Sequence, residues 1–375
     1  MHAQTRRPLG CSCIQKQNHS PRLHPSQNAI PRRIQRMISH ATADVDTKSD
    51  EYSDVMSARM GAALTYRHED GMNYNRILDD LIVGSCLQQA TDVDILAEKE
   101  GVRTVLCLQE DSDMAYFSLD VAPIRARCTS RSDIAHLRHA IRDFDPFSLR
   151  RRLPGAVALL SQQAAARGGT SYIHCTAGLG RAPATALAYM WWIKDIPLDD
   201  AYALLTGIRP CKPKADAIRE AAVDMLYGKG PLPVTLTITR RGTAQRVEVA
   251  GLDVGWGQSV PLEPNQEFKS LSVERNLPPG KYQFKFIWDG IWGPCMNHLT
   301  MVDGDNLNNY IIVPDEDLGE EVAAARRRLR APGGNLTAAE AEIIKEKMEN
   351  MKVDAHSTSA PGVNELAEGS SNFAT

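Results

Sequence analysis

Apolar positions in the first two thirds of the chain alternate between two patterns. Ile77 to Val83 and Val102 to Leu108 are compact apolar runs that read as strands, with a helical pattern between them from about Asp92. Thr91 offers that helix a cap and Gly101 a stop. A second helical pattern covers Leu153 to Arg167, opening at Pro154 and closing at Gly168-Gly169. A strand over 170–174 follows, then helices over about 182–194, 198–207 and 214–227. Strands alternating with helices predict an α/β domain over 53–230, a central mainly parallel sheet flanked by helices.

The pattern changes after the linker Gly228-Lys229-Gly230-Pro231-Leu232-Pro233. Short β runs follow at Val234 to Thr239, Gln245 to Val249, Lys269 to Arg275, Lys281 to Trp288 and Asn309 to Val313. They predict an all-β sandwich over 231–316. In Lys281 to Trp288 the residues Tyr282, Phe284, Phe286 and Trp288 alternate, so they share a core face and Lys285 points the other way. Asp289-Gly290 is a hairpin turn signal that presents Trp292 on the returning segment. Thr337-Ala338-Ala339-Glu340 has the form of a capping box, which predicts a helix over Ala338 to Met351 within a C-terminal helical segment, 317–352. Residues 353–375 read as a disordered tail.

Composition narrows the class. The chain has 375 residues, 43% of them hydrophobic, enough for two cores. A net charge of −3 gives no electrostatic case for a nucleic-acid partner. No apolar run is long enough to span a membrane. The eight cysteines lack metal-type spacing and read as mainly reduced thiols, with no metal or other cofactor expected. Residues 1–43 contain no Asp or Glu but carry Arg6, Arg7, Arg22, Arg32, Arg33 and Arg36, with Ser12, Ser20, Ser26 and Ser39. That is the composition of an organelle transit peptide, so 1–52 is expected to be a leader.

The chemistry is concentrated in His174-Cys175-Thr176-Ala177-Gly178-Leu179-Gly180-Arg181. A strand delivers Cys175 to a tight loop, where Gly178 and Gly180 permit unusual backbone angles. The loop turns successive N–H groups of Thr176 to Arg181 inward at a helix N-terminus, making an anion nest that also favours the Cys175 thiolate. Arg181 can hold two phosphate oxygens in a fork. This is the Cys-x5-Arg phosphate cradle, in which the thiolate attacks phosphorus to give a phosphocysteine that water hydrolyses. The leaving oxygen needs an acid. In Ile141-Arg142-Asp143-Phe144-Asp145, both Asp143 and Asp145 qualify on spacing, and Asp145-Pro146 also has turn chemistry. In the β-rich half, Trp256 between two glycines, Trp292 and the nearby Lys285 suit a sugar platform of ring faces and an amine. Tyr66, Tyr116, Phe117 and Phe144 read from spacing alone as core.

These runs resemble the glucan-phosphatase branch of the dual-specificity phosphatases, and most closely the plant starch-excess type. The resemblance covers about residues 60–350 and includes Leu64 to Glu69, Asp80 to Leu87, Ile141 to Asp145, the cradle, and Gly251 to Gln258. It implies a dual-specificity phosphatase domain followed by a glycogen-binding-type carbohydrate-binding module. It implies Asp143 as the acid, and glucan contacts at Tyr66, Tyr116, Phe117, Phe144, Trp256, Lys285, Trp292 and Asn309. It also implies a C-terminal helix packed back on the catalytic domain. Ala182 follows the cradle arginine without a hydroxyl, as in those relatives, whereas Lys212 stands where they carry an aromatic residue.

Cys107 closes a strand whose neighbour ends at Cys175, so a reversible Cys107–Cys175 disulfide is expected as a redox control. The function expected is a cysteine-dependent phosphatase acting on phosphorylated starch or amylopectin chains, monomeric, in the chloroplast stroma at the starch granule surface. A phosphoprotein phosphatase targeted to starch by its sugar module is the alternative, and a non-catalytic starch-binding scaffold the second.

Overall fold

The computed structural model describes residues 32–228, 230–239, 244–265, 270–303, 306–314, 319–354 and 356–357. The leader up to residue 31 and residues 358–375 of the expected tail lie outside the described residues. Asp44–Thr375 forms one compact unit, and both sites predicted from the sequence belong to it.

The first element is a helix, α1 (Arg32–Met60), which runs unbroken through the expected domain boundary at 53. Met56 and Met60 explain why: both are buried, packed with Leu64, Tyr66, Phe117 and the cradle residues Ala177 and Leu179. Next come β1 (Tyr74–Leu78), β2 (Leu81–Gly84), α2 (Ala90–Lys99), β3 (Val102–Cys107), α3 (Asp111–Tyr116), α4 (Ala122–Arg131), β4 (Ala135–His139), α5 (Pro146–Arg167), β5 (Thr170–His174), α6 (Arg181–Trp192), α7 (Leu198–Ile208) and α8 (Ala215–Tyr227). Ile77 to Val83 is a hairpin rather than one strand, because the chain turns between Leu78 and Leu81. α5 opens at Pro146, not Pro154. Asp145 caps it through the amides of Phe147 and Ser148, and Pro146 stands in its first turn, where a missing N–H costs little.

The sheet order is β1-β2-β5-β3-β4, with a two-residue strand β15 (His356–Ser357), the last among the described residues, beyond β4. Only β1 runs antiparallel to its neighbour. This is the α/β sheet expected from the alternating pattern. Every residue of β5 is buried, as is every residue of α6, so the turn between them is held from both sides.

The β-rich half contains β6 (Leu232–Thr239), β7 (Val247–Gly251), β8 (Gly255–Pro261), β9 (Glu263–Asn265), β10 (Ser270–Leu277), β11 (Gly280–Trp288), β12 (Ile291–Gly293), β13 (Thr300–Asp303) and β14 (Asn306–Val313). They form two antiparallel sheets, β6-β10-β9 and β13-β14-β11-β7-β8, with β12 paired to β11. Tyr282, Phe284 and Phe286 are buried between them with Leu236, Val249 and Leu277. Asp289 and Gly290, at φ 45° and 89°, make the two-residue turn that sets Trp292 opposite Ile287.

Two further helices, α9 (Glu320–Arg330) and α10 (Ala338–Asn350), precede β15 among the described residues. Thr337 and Glu340 close the capping box of α10. Ile344 and Met348 of α10 join the core of the catalytic domain, and the indole of Trp191 donates to Asn335 at 2.6 Å.

Arg150 of α5 bridges the halves. Its guanidinium meets Asp224 at 2.6 Å, the Tyr282 hydroxyl at 3.1 Å and the Pro279 carbonyl at 3.0 Å. Arg142 adds a second bridge, donating to the Val254 carbonyl at 3.0 Å, while Arg330 of α9 pairs with Glu220 of α8 at 2.8 Å.

Candidate active site

Cys175 stands at the carboxyl end of β5, where ligand sites of parallel sheets form. Gly178 has φ 70°, and a Cβ there would lie 2.2 Å from the Gly84 carbonyl oxygen, so the turn requires glycine. Gly180, at φ −125° and ψ −78°, lies outside the helical and extended regions, although a Cβ there would meet only Met60 at 3.5 Å. The N–H groups of residues 177–180 donate to no protein group among the described residues, so the nest is open to an anion. Arg209 holds the cradle from behind through the carbonyls of Gly178 (2.7 Å) and Ala177 (3.0 Å). The sequence reading missed it, although Arg209 precedes a proline that ends α7.

Thr176 is buried, and its hydroxyl accepts from Gln109 at 3.2 Å and from Arg181 at 3.3 Å. His174 Nδ1 lies 3.1 Å from the Cys175 carbonyl, which can only accept, so that nitrogen carries the proton. Burial lowers the His174 pKa to about 4, which leaves the ring neutral and structural.

Arg181 is buried. One terminal nitrogen meets Asp113 at 2.5 Å and the Ile141 carbonyl at 3.0 Å, and the other meets Asp143 at 2.9 Å. Its Nε–H is enclosed without an acceptor among the described residues. Asp113 is a second unanticipated partner, placed by the first turn of α3.

The structure separates the two candidate acids. Asp145 is the α5 cap and is buried on the amides of Phe147 (2.9 Å) and Ser148 (3.0 Å). Asp143 faces the cradle, and burial raises its carboxyl above the ordinary range against the pull of Arg181. A raised carboxyl holds its proton, which suits an acid. Phe144 follows at φ 55°, a strained value of the kind found at working sites.

A cavity of about 720 Å³ is lined by Cys175, Arg181, Asp143 and Phe144 on one side and by Trp256, Lys285 and Trp292 on the other. Cys175 lies at its floor, 3% exposed; Trp256 is half-buried and Trp292 is 49% exposed. Lys285 Nζ rests 3.3 Å from the Asn306 side chain. Lys212 also lines the cavity, its amine donating to the Gly61 carbonyl at 2.9 Å.

Three expected glucan contacts are placed elsewhere. Asn309 is fully buried, with its amide bonded to Cys295 N (2.7 Å) and Cys295 O (2.8 Å), so it braces the loop before β13. Tyr66 is buried, with its hydroxyl 2.8 Å from His68 Nδ1, and Phe117 is buried and stacked on His68 at 4.4 Å. α1 packs over both, which spacing could not reveal. Tyr116 remains exposed at 39%, and its hydroxyl donates to the Lys48 carbonyl at 3.2 Å.

Cys107 pairs with His174 in the register of β3 and β5, one residue from Cys175. Burial pushes its thiol up to about 11. Cys107, His136 and His174 bring one donor atom each within 4.8 Å of one another. This grouping is invisible in linear spacing because it draws on three different strands. Its sulfur and nitrogen donors are of the kind zinc takes, although a tetrahedral zinc with bonds of about 2.0–2.3 Å would hold them closer together.

The family profile described as the glycogen recognition site of AMP-activated protein kinase matches residues 233–319. The chain is 28% identical over 326 residues to the phosphoglucan phosphatase LSF1, chloroplastic, of Arabidopsis thaliana, across 82% of this chain and 54% of that one. A crystal structure of PTPMT1 aligns with 40% of this chain and 91% of its own at 18% identity and a TM-score of 0.32, too slight to bear on the assignment. Over 326 residues, 84% of this chain and 86% of the other, the sequence is 45% identical to the phosphoglucan phosphatase DSP4, amyloplastic, of Castanea sativa. Similarity of that degree along most of both lengths is family membership: the chain belongs to the phosphoglucan phosphatases.

Proposed function

We propose that this enzyme hydrolyses phosphate monoesters on the glucosyl residues of starch or amylopectin chains. The observation that carries the reading is the single cavity with a Cys-x5-Arg cradle at one end and the Trp256, Lys285 and Trp292 platform at the other. A chain stacked on the indoles would be held beside the cradle, so the platform raises the local ester concentration.

The Cys175 thiolate attacks phosphorus while Asp143 gives its proton to the leaving sugar oxygen. The nest and Arg181 hold the phosphoryl oxygens, Arg181 exchanging its carboxylate partners for the substrate. Asp143, now ionised, then takes a proton from the water that releases phosphate. Phosphate release from phosphorylated amylopectin, compared with a phosphopeptide, tests the reading. Cys175→Ser should abolish both, and Trp256→Ala with Trp292→Ala should cut glucan turnover at limiting substrate by about tenfold, the scale of one or two lost ring stackings. A phosphopeptide preference indifferent to both tryptophans would favour a protein substrate.

The names of the relatives support a plastid location. We place the enzyme in the stroma at the granule surface, which fluorescence of the tagged full chain in leaf cells would check.

The strand register also supports redox control. Peroxide would oxidise the Cys175 thiolate to a sulfenic acid; the Cys107 thiol would attack that sulfur and release water, leaving a disulfide that a dithiol reduces. Wild-type enzyme should then recover from peroxide on adding dithiol, and Cys107→Ser should recover less than a tenth as well. Equal recovery would refute the pair.

A further inference from the structure

Tyr52 on α1 stands at the centre of an aromatic cluster beside the cradle and lines the cavity. Its ring centroid lies 5.9 Å from Tyr66, 6.2 Å from Tyr116, 5.6 Å from Phe117 and 6.3 Å from Phe144. Its hydroxyl donates to Asp143 at 3.0 Å. An acid must stand within about 2.6–3.2 Å of the oxygen it protonates, so the phenol holds the place of the leaving sugar oxygen.

The rest of α1 holds Tyr52 there. Met56 and Met60 are buried against Ala177 and Leu179 of the cradle. The Arg59 guanidinium lies 5.0 Å over Phe144. Ser53 accepts from the Tyr66 amide at 2.9 Å, and Ser57 donates to the Leu64 carbonyl at 2.9 Å. Lys212, the residue that departs from the family pattern, fastens the carbonyl of Gly61 just beyond the helix.

We propose that Tyr52 is the gate of the glucan groove: its ring stands in for a glucose ring and its hydroxyl for the leaving oxygen, and a phosphoglucan binds only after residues 45–60 of α1 are displaced. The proposal rests on the glucan reading above. Tyr52 lines the cavity but is half-buried, with four aromatic residues around it and its hydroxyl bonded to the acid, so a sugar phosphate reaches Asp143 only once Tyr52 has moved. Closure reduces the apparent affinity by the fraction of molecules that are open. A tenfold excess of closed enzyme therefore raises the apparent dissociation constant about tenfold.

The test uses full-length Cys175→Ser protein and a phosphorylated maltodextrin, read by hydrogen exchange. Binding should protect the β11–β12 hairpin and raise deuterium uptake in residues 45–60. Protection of the hairpin with unchanged or reduced uptake in α1 overturns the gate. In the active enzyme Tyr52→Ala should lower KM for the phosphoglucan by about tenfold, and a raised KM makes Tyr52 a platform and overturns the gate. If the hairpin gains no protection, the glucan reading fails first. The gate is then judged on 4-nitrophenyl phosphate, where Tyr52→Ala must increase kcat/KM, and a value at or below wild type overturns it.

Discussion

Asp143 and Asp145 stand two residues apart and do opposite work. Asp145 faces backbone amides at a helix start; Asp143 faces Arg181, Asp113 and Tyr52 across the cradle. Because burial raises the Asp143 carboxyl, it stays protonated to higher pH than a free carboxylate, and activity falls as pH climbs through its titration. Asp143→Asn should therefore lower kcat on phosphoglucan by a hundredfold or more, roughly the value of a general acid, and flatten the alkaline limb of the pH profile. Loss of only a few-fold with the limb intact would point to another proton donor. The cradle was legible because its seven residues are contiguous and local angles decide its shape. Spacing alone did not choose the acid, since it gives both carboxylates equal reach; the family resemblance pointed to Asp143, and the cap geometry of α5 removes Asp145. Asn309 came only from the family resemblance, and nothing local in the sequence shows that its side chain meets the Cys295 backbone rather than solvent.

At the scale of elements, the alternating strands and helices, the hairpin at Asp289-Gly290 and the α10 capping box were all written locally. The failures lie where long-range packing overrides a local mark. Pro154 reads as a helix start, yet α5 runs through it because Asp145 and Pro146 offer a better one. α1 lacks an acidic first turn and its start shares the leader composition; Met56 and Met60 pack its last turns onto the cradle. The α5 cap also fits the β module, since a Cβ on Gly255 would lie 2.6 Å from the Asp145 carboxylate. Asp145→Ala should thus cost about 1–2 kcal/mol through the lost cap, measured by denaturant unfolding. A change below about 0.5 kcal/mol, the low end for such caps, would mean that the α5 start is held by other contacts.

The whole molecule is organised around one junction. Arg150, only 5% exposed, answers Asp224 on the catalytic side and the Tyr282 hydroxyl and Pro279 carbonyl on the sugar-module side. Removing it leaves Asp224 half-buried without its closest cation and frees β11, which carries Lys285 and leads into Trp292. The cradle does not depend on that residue: Cys175 is fixed by β5 and α6, and Arg181 by α3 and the Ile141 carbonyl. Chemistry on a small aryl phosphate and capture of a long chain should therefore separate in Arg150→Ala. Hydrolysis of 4-nitrophenyl phosphate is expected to stay within about twofold of wild type, while KM for phosphoglucan rises about five- to tenfold, equivalent to about 1–1.4 kcal/mol of lost alignment. A matched loss on both substrates would show that the junction supports the catalytic domain itself, and an unchanged glucan KM would show that the platform keeps its place without Arg150.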